Sequence, residues 1–204
     1  MTTDTKNLNT ESEILNAAKR IFQLKGMDGA RMQEIADEAN INKSLLHYYY
    51  RSKQLLFEAV FKSAFSLLAP QLNSVLNDDS PLFDKIRNFT NNYISFVVKH
   101  PYLPNFIIQE LNKNPEFVKN LLAERHFPNI EKFSSQVDEQ IAEGVIKPIK
   151  PTQLLINIIA LNLFPFMAAP LLKGLLKVDD TTYRQLMEDR KTEVADFIIN
   201  AIKL

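Results

Sequence analysis

The run Lys43-Ser-Leu-Leu-His-Tyr-Tyr49 packs one cation, one aliphatic hydroxyl, an imidazole and two phenol rings into seven residues. On a helix, Lys43, Ser44, Leu45, His47, Tyr48 and Tyr49 form a face of donors and aromatics. Such a face can read base edges in a major groove while its flanks hold phosphates. The local charge agrees with that chemistry. Between Lys43 and Lys62, the cations Lys43, Arg51, Lys53 and Lys62 oppose a single acid, Glu58, for a net of +3. The whole chain is neutral, with 24 basic and 24 acidic residues, so a nucleic-acid partner must be recognised by this cluster and not by an overall field. The plain alternative for the same residues is a solvated corner of an ordinary helical protein.

A recognition face needs a scaffold, and the flanking sequence supplies a helix-turn-helix. A short helix fits Arg31 to Ala39, with Met32, Ile35, Ala36 and Ala39 facing inward, and a second fits Lys43 to Tyr49, capped by Asn42. Between them the chain must turn sharply. Asn40 stands where a left-handed residue is needed, and Asn is second only to Gly in tolerating that conformation. Ile41 then points into the angle between the helices, toward Ile35 and Leu46. Upstream, Thr10-Glu-Ser-Glu13 has the form of a capping box, followed by Ile14, Ala17, Ala18, Ile21 and Phe22 at helical spacing and a stop near Gly26 and Gly29. Downstream, a helix starts at Ser52 and carries Leu55, Leu56, Ala59, Val60 and Phe65.

The rest of the chain also reads as helical. Ser80-Pro81 and Asn114-Pro115 are cap-plus-proline starts, His100-Pro101 is a stop, and Pro128 and Gly144 bracket a further helix. From Pro151 to Leu172 no residue is charged, yet Gln153, Asn157, Asn162 and three prolines make this a core helix or broken helix pair and not a membrane span. Asp179-Asp-Thr-Thr182 opens a last amphipathic helix, on which Leu186, Val194, Phe197, Ile198 and Ile202 suggest a symmetric homodimer seam. The expected fold is all-α, with residues 1–55 forming a helix-turn-helix domain and residues 56–204 a larger helical body. The boundary falls inside the helix that begins at Ser52.

Composition removes several chemistries. There is no cysteine, which excludes disulfides, thiolate metal sites and cysteine nucleophiles, and three histidines cannot build a histidine-rich centre. His100 and His126 lack ligand spacing, and no phosphate loop, dinucleotide fingerprint or nucleophile elbow is present. No enzyme, cofactor or metal is therefore expected. The polar amino terminus lacks a secretory h-region, and the expected location is the cytoplasm.

The spaced residues Ile14-Leu-Asn-Ala-Ala-Lys-Arg-Ile-Phe22, Gly26, Met32-Gln-Glu-Ile-Ala36 and Ala39-Asn-Ile-Asn-Lys-Ser-Leu-Leu-His-Tyr-Tyr-Tyr-Arg-Ser-Lys53 resemble the tetracycline-repressor-like (TetR) family of transcriptional regulators. The resemblance covers Thr10 to about Val60. It implies three amino-terminal helices, the third for recognition, and a ligand-binding body that dimerises. Carried onto this chain, it assigns Arg31, Met32 and Gln33 to the DNA backbone and groove edge. Lys43, Ser44 and Leu45 fall at the recognition tip, Tyr48 and Tyr49 on its flank, and Lys53 on a phosphate. Asn40 stands for the usual Gly, Asn42 for Ser and His47 for Tyr. Tyr50 replaces a Phe and reads as core. An effector cavity among aromatic-rich helices is implied as well, and Asn92, Tyr93, Gln109, Asn157 and Asn162 are its candidate polar lining, because a buried polar group must find a partner. The expected protein is a homodimeric repressor that binds an inverted-repeat DNA operator and is released by a small, mainly apolar effector. The competing class is a helical interaction module that has lost DNA binding.

Overall fold

The computed structural model describes residues 2–113 and 130–204. Asn114-Pro115, His126 and Pro128 lie outside them. The described residues form helices α1 (Thr2–Gly29), α2 (Met32–Glu38), α3 (Lys43–Tyr49), α4 (Lys53–Leu76), α5 (Leu82–Lys99), α6 (Leu103–Lys113), α7 (Glu131–Ala142), α8 (Pro151–Met167), α9 (Ala169–Leu176) and α10 (Asp180–Ile202). The one sheet-like feature among them is an isolated antiparallel bridge between Ile146 and Lys203.

The chain divides into two compact units, residues 1–66 and 67–204, and the division falls within α4. It lies beyond the 55/56 boundary suggested by the sequence, because Leu56, Phe57, Val60, Phe61 and Ala64 are buried in the first unit's core. There Phe57 meets Phe22 edge-on, with ring centroids 5.1 Å apart. Ile14, Ala17, Ala18, Ile35, Ala36 and Leu46 complete that core.

Two start signals read from the sequence act differently. Thr10 lies inside α1 and not at its start, since the helix already runs from Thr2, and Glu13 accepts a hydrogen bond from Asn9 at 3.0 Å. Ser80 does not cap α5. Its hydroxyl and amide both donate to the Asp78 carboxylate, at 2.7 and 3.1 Å, which turns the side chain toward Asp78 and away from the free amides at the start of α5. The Gly26 stop appears as a break within α1, with φ 66° and ψ 177°.

In the second unit α5 packs on α10, and α8 touches α5, α6, α7, α9 and α10. The uncharged stretch is a broken pair, with α8 and α9 bent by 75°, and no single helix among the described residues is long and apolar enough to cross a membrane. The bend falls at Ala168, just before Pro170 in the first turn of α9, while Pro165 inside α8 has no N–H for the Leu161 carbonyl one turn back. Arg190 of α10 donates to that carbonyl at 2.7 Å, and the Tyr183 hydroxyl donates to the Pro165 carbonyl at 2.7 Å. α10 thus supplies donors to two of the backbone acceptors that the prolines and the break leave without a helical donor.

Candidate nucleic-acid interface

The helix-turn-helix takes its shape from a few local bonds. α2 ends at Ala39, and Asn40 adopts φ 54°, the left-handed conformation expected of it. The Asn40 amide donates to the Asp37 carbonyl at 3.1 Å and the Ile41 amide to the Ala36 carbonyl at 3.0 Å. This pair is a Schellman motif, which satisfies the last carbonyls of the helix while reversing the chain. Two residues on, the Asn42 carboxamide oxygen accepts from the Leu45 amide at 2.7 Å and caps α3. Turn and cap together fix the start of a seven-residue helix too short to persist alone.

Cross-links then hold α2 and α3 to α1. Arg20 pairs with Glu38 at 2.7 Å and Lys25 with Glu34 at 2.9 Å. The Lys25 ammonium holds the Glu34 carboxyl below the usual carboxylate range. At the far end of α3, the Tyr50 hydroxyl donates to Glu11 at 3.0 Å. Burial, followed by that carboxylate, pushes the Tyr50 phenol above its ordinary value.

The residues singled out in the sequence separate by exposure. Lys43, Ser44, His47 and Tyr48 are exposed along one side of α3, and Tyr48 retains 80% of its accessible surface. Leu45 and Tyr49 are half-buried, with Tyr49 edge-on to Tyr48 at 5.6 Å, and Leu46 is fully buried beneath them. Arg31 and Gln33 are exposed at the start of α2, Met32 is half-buried, and Gln33 already donates to Asp37 at 2.7 Å. Lys53 has a structural bond as well: its ammonium donates to the carbonyls of Ala30 at 3.1 Å and Asp28 at 3.3 Å, around the carboxyl end of α1. The sequence reading missed the Glu11–Tyr50, Arg20–Glu38 and Lys25–Glu34 pairs. Only the exchange of Phe for Tyr at position 50 hinted at the first.

Residues 14–60 match the family model described as bacterial regulatory proteins, tetR family. This segment holds α2 and α3 and is similar to the tetR-family amino-terminal region. Among curated relatives of this chain is the biofilm operon negative transcriptional regulator IcaR of Staphylococcus aureus, 26% identical over 133 residues, which are 65% of this chain and 68% of IcaR. The transcriptional regulator RutR of Escherichia coli is 25% identical over 145 residues, 71% of this chain and 68% of RutR. The crystal structure of a TetR-family transcriptional regulator from Haemophilus influenzae shares the fold, with a TM-score of 0.63 at 16% identity over 98% of this chain and 99% of that one.

The carboxy-terminal candidates fare unevenly. Of the five seam residues, only Leu186 and Phe197 are exposed, at 37% and 66%. Val194, Ile198 and Ile202 are buried inside their own unit and are withdrawn as interface residues. The reason is that α10 carries two apolar stripes, one turned inward through Tyr183, Met187, Val194, Ile198 and Ile202, the other outward. Of the polar effector candidates, Asn92, Gln109 and Asn157 are exposed and do not fit a buried lining. Tyr93 and Asn162 are buried, and burial raises the Tyr93 phenol's pKa. The Asn162 amide donates to the Ile158 carbonyl at 2.8 Å and faces the Thr90 hydroxyl at 3.4 Å, while its Oδ1 is buried without a partner.

Proposed function

We propose that this chain is a transcriptional repressor that binds an inverted-repeat operator as a homodimer and releases it when a small, mainly apolar effector binds. The observation that carries the reading is the open face of α3. Lys43, Ser44, His47 and Tyr48 stand exposed on a helix whose two ends are fixed by Asn42 and Tyr50. Its side chains reach base edges, Arg31 and Gln33 contribute at the groove edge, and Lys53 offers a phosphate its remaining N–H. The negative regulator IcaR among the relatives supports repression over activation.

Dimerisation is supported by the outer surface of α8 and α10. Ile156, Phe164, Leu186 and Phe197 lie exposed, and Phe197 also borders a concavity of about 370 Å³ with Leu154, Asn157, Ala160 and Leu161. A two-fold axis through such a patch makes it its own partner and turns the operator into an inverted repeat. For the effector, Tyr93 and the unpartnered Asn162 carbonyl are two of the polar groups buried on α5 and α8, beside Lys85 and Thr90, and suit a molecule with a hydrogen-bond donor. The site of action is the cytoplasm.

Selection from a randomised DNA duplex library tests the core of this reading. The expected result is enrichment of an inverted repeat bound two protomers at a time. Recovery of no enriched sequence, with binding no stronger than that of an unrelated neutral helical protein, would favour an interaction module instead.

A further inference from the structure

We infer that Glu11 and Tyr50 form a positioning pair that sets the orientation of α3 for sequence reading, a role that rests on the DNA-binding reading of α3. α3 packs on α2, and α2 is tied to α1 by two ion pairs, but its far end is held differently. Tyr50 is the residue at which α3 ends, with φ −131° and ψ 102°, and its own amide still donates to the Leu46 carbonyl at 2.8 Å. From this last position the phenol reaches a carboxylate 39 residues away in sequence, at 3.0 Å. An ionised acceptor holds a hydroxyl donor more firmly than a neutral one does. It fixes the end of α3 opposite Asn42, so the helix is held at both ends.

The ring alone does not supply this link. A Phe at position 50 would fill the same half-buried space and leave Glu11 unanswered. The pair therefore adds direction to packing: the hydroxyl has to point at one particular turn of α1. A tilt of a seven-residue helix about its amino-terminal cap moves its far end most. His47, Tyr48 and Tyr49 lie in the turn next to Tyr50, so they are the groups displaced when the bond is lost. Lys43 and Ser44, beside Asn42, stay in place. Tyr50 and Glu11 themselves need not touch DNA.

The test uses the full chain, the duplex enriched by wild type, and a scrambled duplex of equal length. Tyr50→Phe and Glu11→Ala should each weaken binding to the enriched duplex several-fold, while scrambled-duplex affinity and the dependence of binding on salt stay unchanged. Glu11→Gln, which retains an acceptor for the phenol, should rescue most of the loss. In the Tyr50→Phe background Glu11→Ala should have no further effect, because the two act as one unit. Amide exchange at Tyr50 should rise in both single variants, with exchange in α5 and α10 unaltered. Independent, additive losses would overturn the pairing, as would equal losses on both duplexes. A salt dependence reduced by one phosphate would make Tyr50 a backbone contact instead. A wild-type chain that enriches no duplex would refute the DNA-binding reading, while the exchange measurement still reports on the pair.

Discussion

The turn between α2 and α3 offers the sharpest test of how this site is built. Asn40 sits at φ 54°, exposed, and its side chain makes no hydrogen bond among the described residues. Its contribution is therefore conformational, and substitutions should rank by their tolerance of the left-handed region. Asn40→Gly should change stability by less than about 0.5 kcal/mol, since easier access to φ > 0 offsets the greater freedom of Gly in the unfolded chain. Asn40→Ala should be intermediate. Asn40→Val should cost about 1–2 kcal/mol, because a left-handed residue with a Cβ carries a penalty of that order and β-branching makes it a genuine outlier. The two turn bonds, Asn40 to Asp37 and Ile41 to Ala36, report directly on the loss. Their amide hydrogens should exchange about 5–30 times faster in the Val variant, the factor that corresponds to 1–2 kcal/mol. With a urea slope of about 2 kcal/mol/M, the midpoint for the amino-terminal unit should fall by roughly 0.5–1 M. Equal exchange and equal midpoints for Asn40→Val and Asn40→Gly would refute the argument, because the left-handed turn would then carry no weight.

Three further outcomes are expected. Lys53→Ala should weaken binding to enriched and scrambled duplexes alike and lower the salt slope by about one; a lowered melting temperature with an unchanged slope would limit Lys53 to holding the Asp28 and Ala30 carbonyls. Phe197→Glu should yield folded monomers by light scattering, whereas Ile198→Glu beside it should unfold the chain, as one is 66% exposed and the other 3%; a wild-type monomer at micromolar concentration would sink the seam. Tyr183→Phe should cost about 1–3 kcal/mol by thermal melting, since it strands the buried Pro165 carbonyl, and a loss below about 0.5 kcal/mol would mean another donor reaches that oxygen.

What the sequence disclosed follows from the range of the forces involved. α2 and α3 were legible nearly to the residue because their ends are set by neighbours: Asn40 by its own backbone preference, and Asn42 by a carboxamide three residues from its donor. Thr10 and Ser80 misled for the same reason. Each carries a local signal that a second, equally local competitor overrides, a continuing helix in one case and the Asp78 carboxylate in the other. The faces of α10 were not legible. Apolar residues at positions 186, 194, 197, 198 and 202 recur with helical spacing, and only the packing of α10 on α5 decides which turn inward. The Lys53 ammonium and the Tyr50 hydroxyl also find partners 23 and 39 residues away, which no local pattern encodes.

The division of labour within α3 explains how so short a helix can present a reading surface at all. A seven-residue helix gains little from its own hydrogen bonds, so some of its side chains must be spent on holding it. Here those duties fall on Asn42 before it, Leu46 beneath it and Tyr50 after it. The remaining positions recur at 43, 44, 47 and 48, on the opposite side, where the side chains of Lys43, Ser44 and His47 make no hydrogen bond among the described residues. These side chains can therefore vary with the DNA sequence to be read at little cost to the fold. Because Leu46 and the two end fixtures face away from them, a substitution at 43, 44, 47 or 48 should alter which duplex is enriched, while one at 42, 46 or 50 should alter how firmly any duplex is discriminated.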